Sequence, residues 1–291
     1  MQIISEAAPL LTVIIPSHNE ENYIGNCLQS LARQRGLPKN VGIEVIVAAN
    51  GCTDRTVAVS DFFQNVLGEN KIELVTLDIE IPGKSNAIRL AEQKAKYRNF
   101  LYIDADVTIE DTLLSEILTT LSEASPIYVS GTLAIPTSQS WISANYAKIW
   151  LALPFVNEGV PGIGLYGVNE AGRKRWGDFP QIIADDRFVR LNFAESERRK
   201  ASSRYFWSLP QGARNLTKAR IRWCEGNEEL KQLFPELLKN DTQRNDRMLN
   251  LRHILKDPVA GVIFIAIYAT GRAFAVFRRP QAEYRWRRAR K

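Results

Sequence analysis

Five short apolar runs dominate the first half of the chain: "LLTVIIP" (10–16), "IEVIVAA" (43–49), "IELVTL" (72–77), "FLYIDAD" (100–106) and "IYVSGTL" (127–133). Between them lie "EENYIGNCLQSLARQ", "DRTVAVSDFFQNVL", "KSNAIRLAEQKAKY" and "EDTLLSEILTTL", each with apolar residues at helical spacing. Apolar strands alternating with helices build βαβ units, so the expected fold is α/β: a mainly parallel sheet flanked by helices on both faces. That architecture also says where to look for chemistry, because ligands of such sheets bind beyond the carboxyl ends of the strands.

Polar motifs stand at those ends. "PSHNEE" follows the first run, "NGCTDRT" the second and "IPGKSNA" the third, while the fourth closes on Asp104 and Asp106. On an extended strand, side chains at i and i+2 point to the same side, so the two carboxylates can approach one divalent ion while Ala105 leaves the other side clear. Two carboxylates completed by phosphate and water oxygens suit Mg²⁺ or Mn²⁺; a strand end with a helix cap is the plainer alternative. Glu20 can accept hydrogen bonds from a ribose or base, or simply place charge at a helix N-terminus. Lys84, following "PG", can face a diphosphate as a point charge or begin a solvated helix. Asp54 reads as the N-cap of the helix that follows it.

Other function classes are excluded more easily. The chain has 291 residues, 45% of them hydrophobic and 24% charged, which are globular statistics. Cys27, Cys52 and Cys224 have no CxxC spacing, and His18 and His253 are the only imidazoles, so neither a disulfide framework nor a structural zinc site is expected. No glycine-rich phosphate loop follows the first strand, which removes a dinucleotide-dependent oxidoreductase and a sugar-phosphate nucleotidyltransferase. The net charge of +6 is concentrated: from Arg272 onward eight Lys and Arg face Glu283 alone, leaving the remainder nearly neutral. A nucleic-acid partner is therefore not expected.

"VIIPSHNEENYIGNCLQSL", "IVAANGCTDRTVAV", "IPGKSNAIRLA" and "FLYIDADV", in this order and spacing, resemble the nucleotide-sugar-binding half of inverting family 2 glycosyltransferases of the GT-A fold. The resemblance covers about residues 10–135, and 160–223 more loosely. It implies a Rossmann-like nucleotide-binding half in which Pro16, Asn19 and Glu20 line the nucleoside pocket and Lys84 and Asp104 lie near the sugar nucleotide. It also implies that Asp104 and Asp106 form a metal-binding D-x-D for Mn²⁺ or Mg²⁺. Ala49 and Asn50 stand where many relatives carry two aspartates; Asn50 can still hydrogen-bond a base or ribose, but it donates as well as accepts and has no charge.

Asp185 and Asp186, in "IIADDRFVRL", sit where the family places its catalytic base, with the choice between them open. Inversion needs a carboxylate on the sugar face opposite the leaving diphosphate, to take the acceptor's proton. The alternative is a surface pair bridged to Arg187 and Arg190. "GIGLYGVNEAG" occupies the place of an acceptor loop, which makes Gly164 and Tyr166 acceptor-binding candidates. Trp223, in "KARIRW", partly matches a Q/R-x-x-R-W motif and is a third candidate.

After a polar helical stretch at 224–247, broken at Pro235, Val259–Phe277 is apolar apart from Arg272 and close to the roughly 20 residues that span a bilayer. Spanning and lying in the interface are both open. The basic tail that follows, with Tyr284 and Trp286, suits an anionic membrane surface. The N-terminus has no basic n-region or long apolar h-region, so a cytoplasmic location is expected, peripheral or anchored at the membrane through the C-terminal segment. The expected organisation is a nucleotide-sugar-binding half (1–135), an acceptor and catalytic-base half (136–223) and C-terminal helices (224–291). The expected partners are a nucleoside-diphosphate sugar, a glycan or glycolipid acceptor and a membrane surface. The competing reading is a membrane-associated nucleotide-sugar-binding protein without turnover, supported by Ala49 and Asn50.

Overall fold

The computed structural model describes residues 10–241 and 251–277. In chain order the elements are β1 (Leu10–Ser17), α1 (Ile24–Ala32), β2 (Gly42–Asn50), α2 (Thr56–Gly68), β3 (Ile72–Ile79), α3 (Lys84–Lys94), β4 (Phe100–Ile103), β5 (Thr108–Ile109), α4 (Leu113–Leu121) and β6 (Tyr128–Ala134). Then follow α5 (Trp141–Leu151), α6 (Pro154–Asn157), β7 (Leu165–Val168), α7 (Glu170–Arg173), α8 (Asp185–Leu191), β8 (Arg198–Phe206), α9 (Gly212–Leu233), α10 (Leu251–Lys256) and α11 (Pro258–Phe277).

One sheet orders the strands β3-β2-β1-β4-β7-β6-β8-β5. Strands β1 to β4 are parallel, as their apolar runs require, since both faces are covered. The period of two divides β1 between two cores: Leu11, Val13 and Ile15 join Cys27, Leu28 and Leu31 of α1, whereas Ile14 joins Ala87, Ile88 and Ala91 of α3. The second half departs from the parallel pattern. β7 enters beside β4 antiparallel, pairing Ile103 with Leu165, and β6 runs antiparallel to β7 but parallel to β8.

Two local expectations change. The strand that was to carry both aspartates ends at Ile103, and residues 104–107 form a turn in which the Val107 amide donates to the Asp104 carbonyl (3.0 Å). The i, i+2 rule for extended chain therefore does not govern Asp104 and Asp106. Helix α9 starts at Gly212 and runs through 223–224, where the sequence reading divides the chain.

Helix α11 lies against α5 and α9. It buries Ala260, Phe264 and Ile267, with Phe264 stacked on Tyr146 at 5.1 Å and Arg220 of α9 over the Tyr268 ring at 4.1 Å. Its other face leaves Val259, Val262, Ile265 and Phe274 exposed. Among the described residues no helix is long and apolar enough to cross a membrane. The basic tail, with Tyr284 and Trp286, lies outside the described residues.

Candidate active site

The loops after β1, β2 and β3 are laced together at one edge of the sheet. Asn19 adopts a left-handed conformation (φ 57°), which asparagine tolerates, and its Oδ1 accepts from the amides of Thr53 (2.7 Å) and Asp54 (3.3 Å). Asp54 accepts from the Thr56 amide at 3.0 Å, the first residue of α2, which is its expected capping role displaced by one position. Glu20 is half-buried, and its amide donates to Thr56 Oγ1 (2.7 Å). Asn50 is wholly buried, with Nδ2 donating to the Ser17 carbonyl (2.8 Å) and Oδ1 accepting from the Gly83 amide (2.8 Å). Its amide latches the ends of β1 and β2 to the residue before Lys84, so both of its polar atoms are engaged within the fold.

Lys84 is the centre of the cleft. Its Nζ lies 2.9 Å from Asp104 Oδ1 and 2.9–3.0 Å from both carboxylate oxygens of Asp185, a residue 101 positions away in sequence. Burial opposes the charge on Lys84, but the Asp104 and Asp185 carboxylates outweigh it and hold the ammonium above the usual lysine range. Asp185 is 5% exposed and also accepts from the Tyr166 hydroxyl at 3.1 Å. Pro16, Ile88, Tyr102 and Gly164 complete the cleft around these side chains.

Asp186 follows in the first turn of α8, half-buried, with its Oδ1 accepting from the Arg187 amide (2.7 Å). Its carboxyl is pushed up to about 6, first by burial and then by the neighbouring Asp185 charge, against the pull of Lys84. The two aspartates thus differ in kind. Asp185 is bound by an ammonium and a phenol, whereas Asp186 has no such cation on it among the described residues and its carboxyl is held above the usual aspartate range. The surface-pair alternative survives only in part, since Arg187 and Arg190 bridge to Asp241.

Gly162 and Gly164 both have positive φ (67° and 73°) in the loop before β7. A Cβ on Gly162 would fall 1.7 Å from the Tyr128 hydroxyl, and one on Gly164 would fall 2.9 Å from Trp207 Cδ1, so only glycine fits at either position. The Gly164 carbonyl accepts from the Asp104 amide (2.8 Å), which joins this loop to the aspartate turn. Tyr166, in the cleft lining, is 2% exposed, stacked on Tyr102 (4.9 Å), and its hydroxyl is engaged by Asp185. Trp223 stacks on Trp150 (6.3 Å) and lies beside Trp207 (6.3 Å), outside the residues that line the cleft.

A buried support lies behind the cleft. Glu92 of α3 receives Arg173 of α7 through two bonds (2.9 and 2.7 Å) and the Tyr102 hydroxyl (2.5 Å). Neither Glu92, Arg173, Tyr102 nor Trp207 stands out in the sequence. Tyr102 reads there as one more apolar strand residue, and the others lie in ordinary helical or strand-end contexts.

Among the described residues no group of three or more His, Cys, Asp or Glu is placed to hold a metal. Asp104 and Asp106 nevertheless offer hard oxygen donors of the kind Mg²⁺ and Mn²⁺ take in ones and twos, with ligand phosphates supplying the rest. The Lys84 ammonium on Asp104 marks a position that favours a cation.

A model described as "Glycosyl transferase family 2" matches residues 12–159, half of the chain. Dolichyl-phosphate beta-glucosyltransferase of Drosophila melanogaster is 36% identical over 100 residues, 33% of this chain and 30% of that protein. The 4,4'-diaponeurosporenoate glycosyltransferase of Staphylococcus aureus (strain MRSA252) is 35% identical over 99 residues, 34% of this chain and 24% of that protein. The aligned part thus spans less than a third of the length of these curated relatives. In fold, the chain is similar to the mannosyltransferase PcManGT from Pyrobaculum calidifontis, solved in complex with GDP-Man and Mn2+, with a TM-score of 0.59 and 18% identity over 93% of this chain and 76% of that one. It is also similar to S. aureus TarS 1-349 in complex with UDP, with a TM-score of 0.50 and 14% identity over 95% and 94% of the two chains.

Proposed function

Because the chain belongs to glycosyl transferase family 2, we propose that it transfers a sugar, with inversion, from a nucleoside-diphosphate sugar to a hydroxyl of a lipid-linked or polysaccharide acceptor. The observation that carries this reading is the single ammonium of Lys84 shared between Asp104 and Asp185, which joins the end of β4 to the start of α8. Asp104 and Asp106 would hold Mn²⁺ or Mg²⁺, which when bound supplies positive charge for the leaving diphosphate. The fold neighbour solved with GDP-Man and Mn2+ supports the same pairing of nucleotide sugar and divalent ion.

Asp186 is the base in this reading. The acceptor oxygen bonds to the anomeric carbon as the carbon–oxygen bond to the diphosphate breaks, and the acceptor's proton passes to an Asp186 carboxylate oxygen. A carboxyl raised to about 6 by burial and by Asp185 is better matched to this task than an ordinary aspartate. Asp185, fixed by Lys84 and Tyr166, orients the start of α8. Pro16, Asn19 and Glu20 line the nucleoside side, and the glycine loop through Gly164, packed against Tyr128 and Trp207, borders the acceptor side. The exposed face of α11, with Val259, Val262 and Ile265, rests on the membrane surface that supplies a lipid-linked acceptor.

The experiment is turnover by the purified chain across UDP-, GDP- and dTDP-sugars with Mn²⁺, read as nucleoside diphosphate released. Asp106→Ala and Asp186→Asn should each abolish release while circular dichroism stays native. Full activity in both variants would overturn the site assignment.

A further inference from the structure

Lys84 is an unusual residue to open a helix. It is the first residue of α3, where the macrodipole disfavours a cation, and the first turn of α3 contains no acid to offset it. Its side chain is only 14% exposed. The backbone beneath it is fixed as well, since Gly83 takes a φ of 152° and its amide is held by the buried Asn50. The ammonium is therefore delivered to its two carboxylates by the fold.

The two carboxylates hold it unequally. Asp185 presents both oxygens to Lys84, is itself bound by Tyr166, and has a side chain 7% exposed. Asp104 contacts the ammonium through Oδ1, and its side chain is 34% exposed. A cation arriving from solvent meets Asp104 first and finds there the more weakly held end of the bridge.

We propose that Lys84 is a built-in counter-cation for Asp104 that a divalent ion must displace, and that its retained bond to Asp185 couples loading of the donor side to the acceptor side of the cleft. The inference rests on the metal reading of Asp104 given above. In the ligand-free protein the Lys84 ammonium sits between the half-buried Asp104 and the buried Asp185, offsetting one of the two negative charges and screening their repulsion. When the metal and diphosphate arrive, Lys84 gives up Asp104, keeps Asp185, and is left beside the incoming diphosphate as a second positive charge. Metal without diphosphate must compete with Lys84, whereas the two together offer the displaced ammonium a new anion.

The test is Mn²⁺ binding without nucleotide, followed by the electron paramagnetic resonance of free Mn²⁺, in the wild-type protein, Lys84→Met, Lys84→Arg and Asp104→Asn. Lys84→Met should bind Mn²⁺ roughly fivefold or more tightly than wild type, the lower end of common coupling strengths. Lys84→Arg should stay near wild type and Asp104→Asn should bind most weakly. By titration calorimetry without metal, Lys84→Met should bind UDP more weakly, an opposite sign that a general loss of structure would not produce for Mn²⁺. Equal or weaker Mn²⁺ binding by Lys84→Met overturns the proposal while leaving the metal site standing. Unchanged binding by Asp104→Asn overturns both. Should Lys84→Met fail to fold, ¹⁵N spectra of the lysine ammonium groups in wild-type protein decide: the Lys84 signal must shift on saturation with Mg²⁺, and a signal that does not move refutes the displacement.

Discussion

Replacing Tyr166 with phenylalanine removes one oxygen and leaves the ring stack on Tyr102 in place. The lost group donates at 3.1 Å to Asp185, a carboxylate only 5% exposed. Hydrogen bonds to charged groups contribute about 1.5–3 kcal/mol, and no water replaces this donor readily in so buried a place. The 3.1 Å separation is long for a phenol on a carboxylate, where about 2.5–2.7 Å is usual, and Lys84 still neutralises Asp185. Both points put Tyr166→Phe at the lower end, a loss of about 1.5 kcal/mol, or about 2–3 °C in Tm for a chain of 291 residues. Urea unfolding at pH 8 measures it, with an unchanged slope confirming that the unfolded state is not involved. Because Tyr166 steadies the residue beside Asp186, kcat should fall while the KM for the donor stays near wild type. A stability change below about 0.5 kcal/mol, the ordinary range for surface substitutions, would refute the claim that this hydroxyl holds Asp185.

Asp186, Gly162 and α11 each carry further expected outcomes. Since Asp186 must be ionised to accept a proton, kcat/KM should rise with pH through about 6 and level off above it. A raised carboxyl contributes stability that is complete below the unfolded pKa and lost as pH rises through the folded one; Asp186→Asn should therefore be more stable than wild type at pH 8, by on the order of 1–3 kcal/mol, and lose that advantage at pH 4. Gly162→Ala forces a Cβ against the Tyr128 hydroxyl in a left-handed backbone and should cost about 2–4 kcal/mol by thermal melting. Tyr128→Phe alone should be nearly neutral, because that buried hydroxyl has no hydrogen-bond partner among the described residues, and it should recover about 1 kcal/mol of the alanine's cost in the double variant. Val262→Asp combined with Ile265→Asp should abolish sedimentation with anionic phospholipid vesicles while nucleotide-sugar turnover in solution persists; undiminished sedimentation would remove α11 from the membrane contact.

Much of this site was legible in the sequence because parallel strands advertise themselves. The apolar runs that became β1 to β4 have no other stable use, and their carboxyl ends necessarily share an edge, so Pro16, Asn19, Lys84 and Asp104 could be brought together without coordinates. What was not legible is how each polar atom is spent. Asn50 looks free to meet a base, yet its amide is consumed between Ser17 and Gly83. Tyr166 looks available to an acceptor, yet Asp185 takes its hydroxyl. Residue periodicity carries no trace of such pairings, nor of Glu92 with Arg173, because they join segments whose separation in the chain is unrelated to any repeat. The turn at 104–107 is hidden in the sequence for a different reason. Apolar residues resume at Val107 and Ile109, but they serve the turn and a new short strand paired with β8 rather than a continuation of β4.

The antiparallel strand explains why the two halves of the chemistry meet at all. In a sheet made only of parallel strands, a segment following β4 would return to the carboxyl edge after another crossover, and the start of each strand would lie at the opposite edge. β7 instead runs against β4, with Leu165 opposite Ile103, so its beginning lies at the carboxyl edge, beside Asp104. The glycine loop that leads into β7 is thereby brought against the aspartate turn, and the Asp104 amide can donate to the Gly164 carbonyl. One residue into the strand from Leu165, Tyr166 reaches Asp185 at the start of α8, which Lys84 grips from the other side. A single reversal of strand direction thus converts the edge shared by β1 to β4 into a cleft with carboxylates on two sides, and the ammonium of Lys84 is the group that both sides hold.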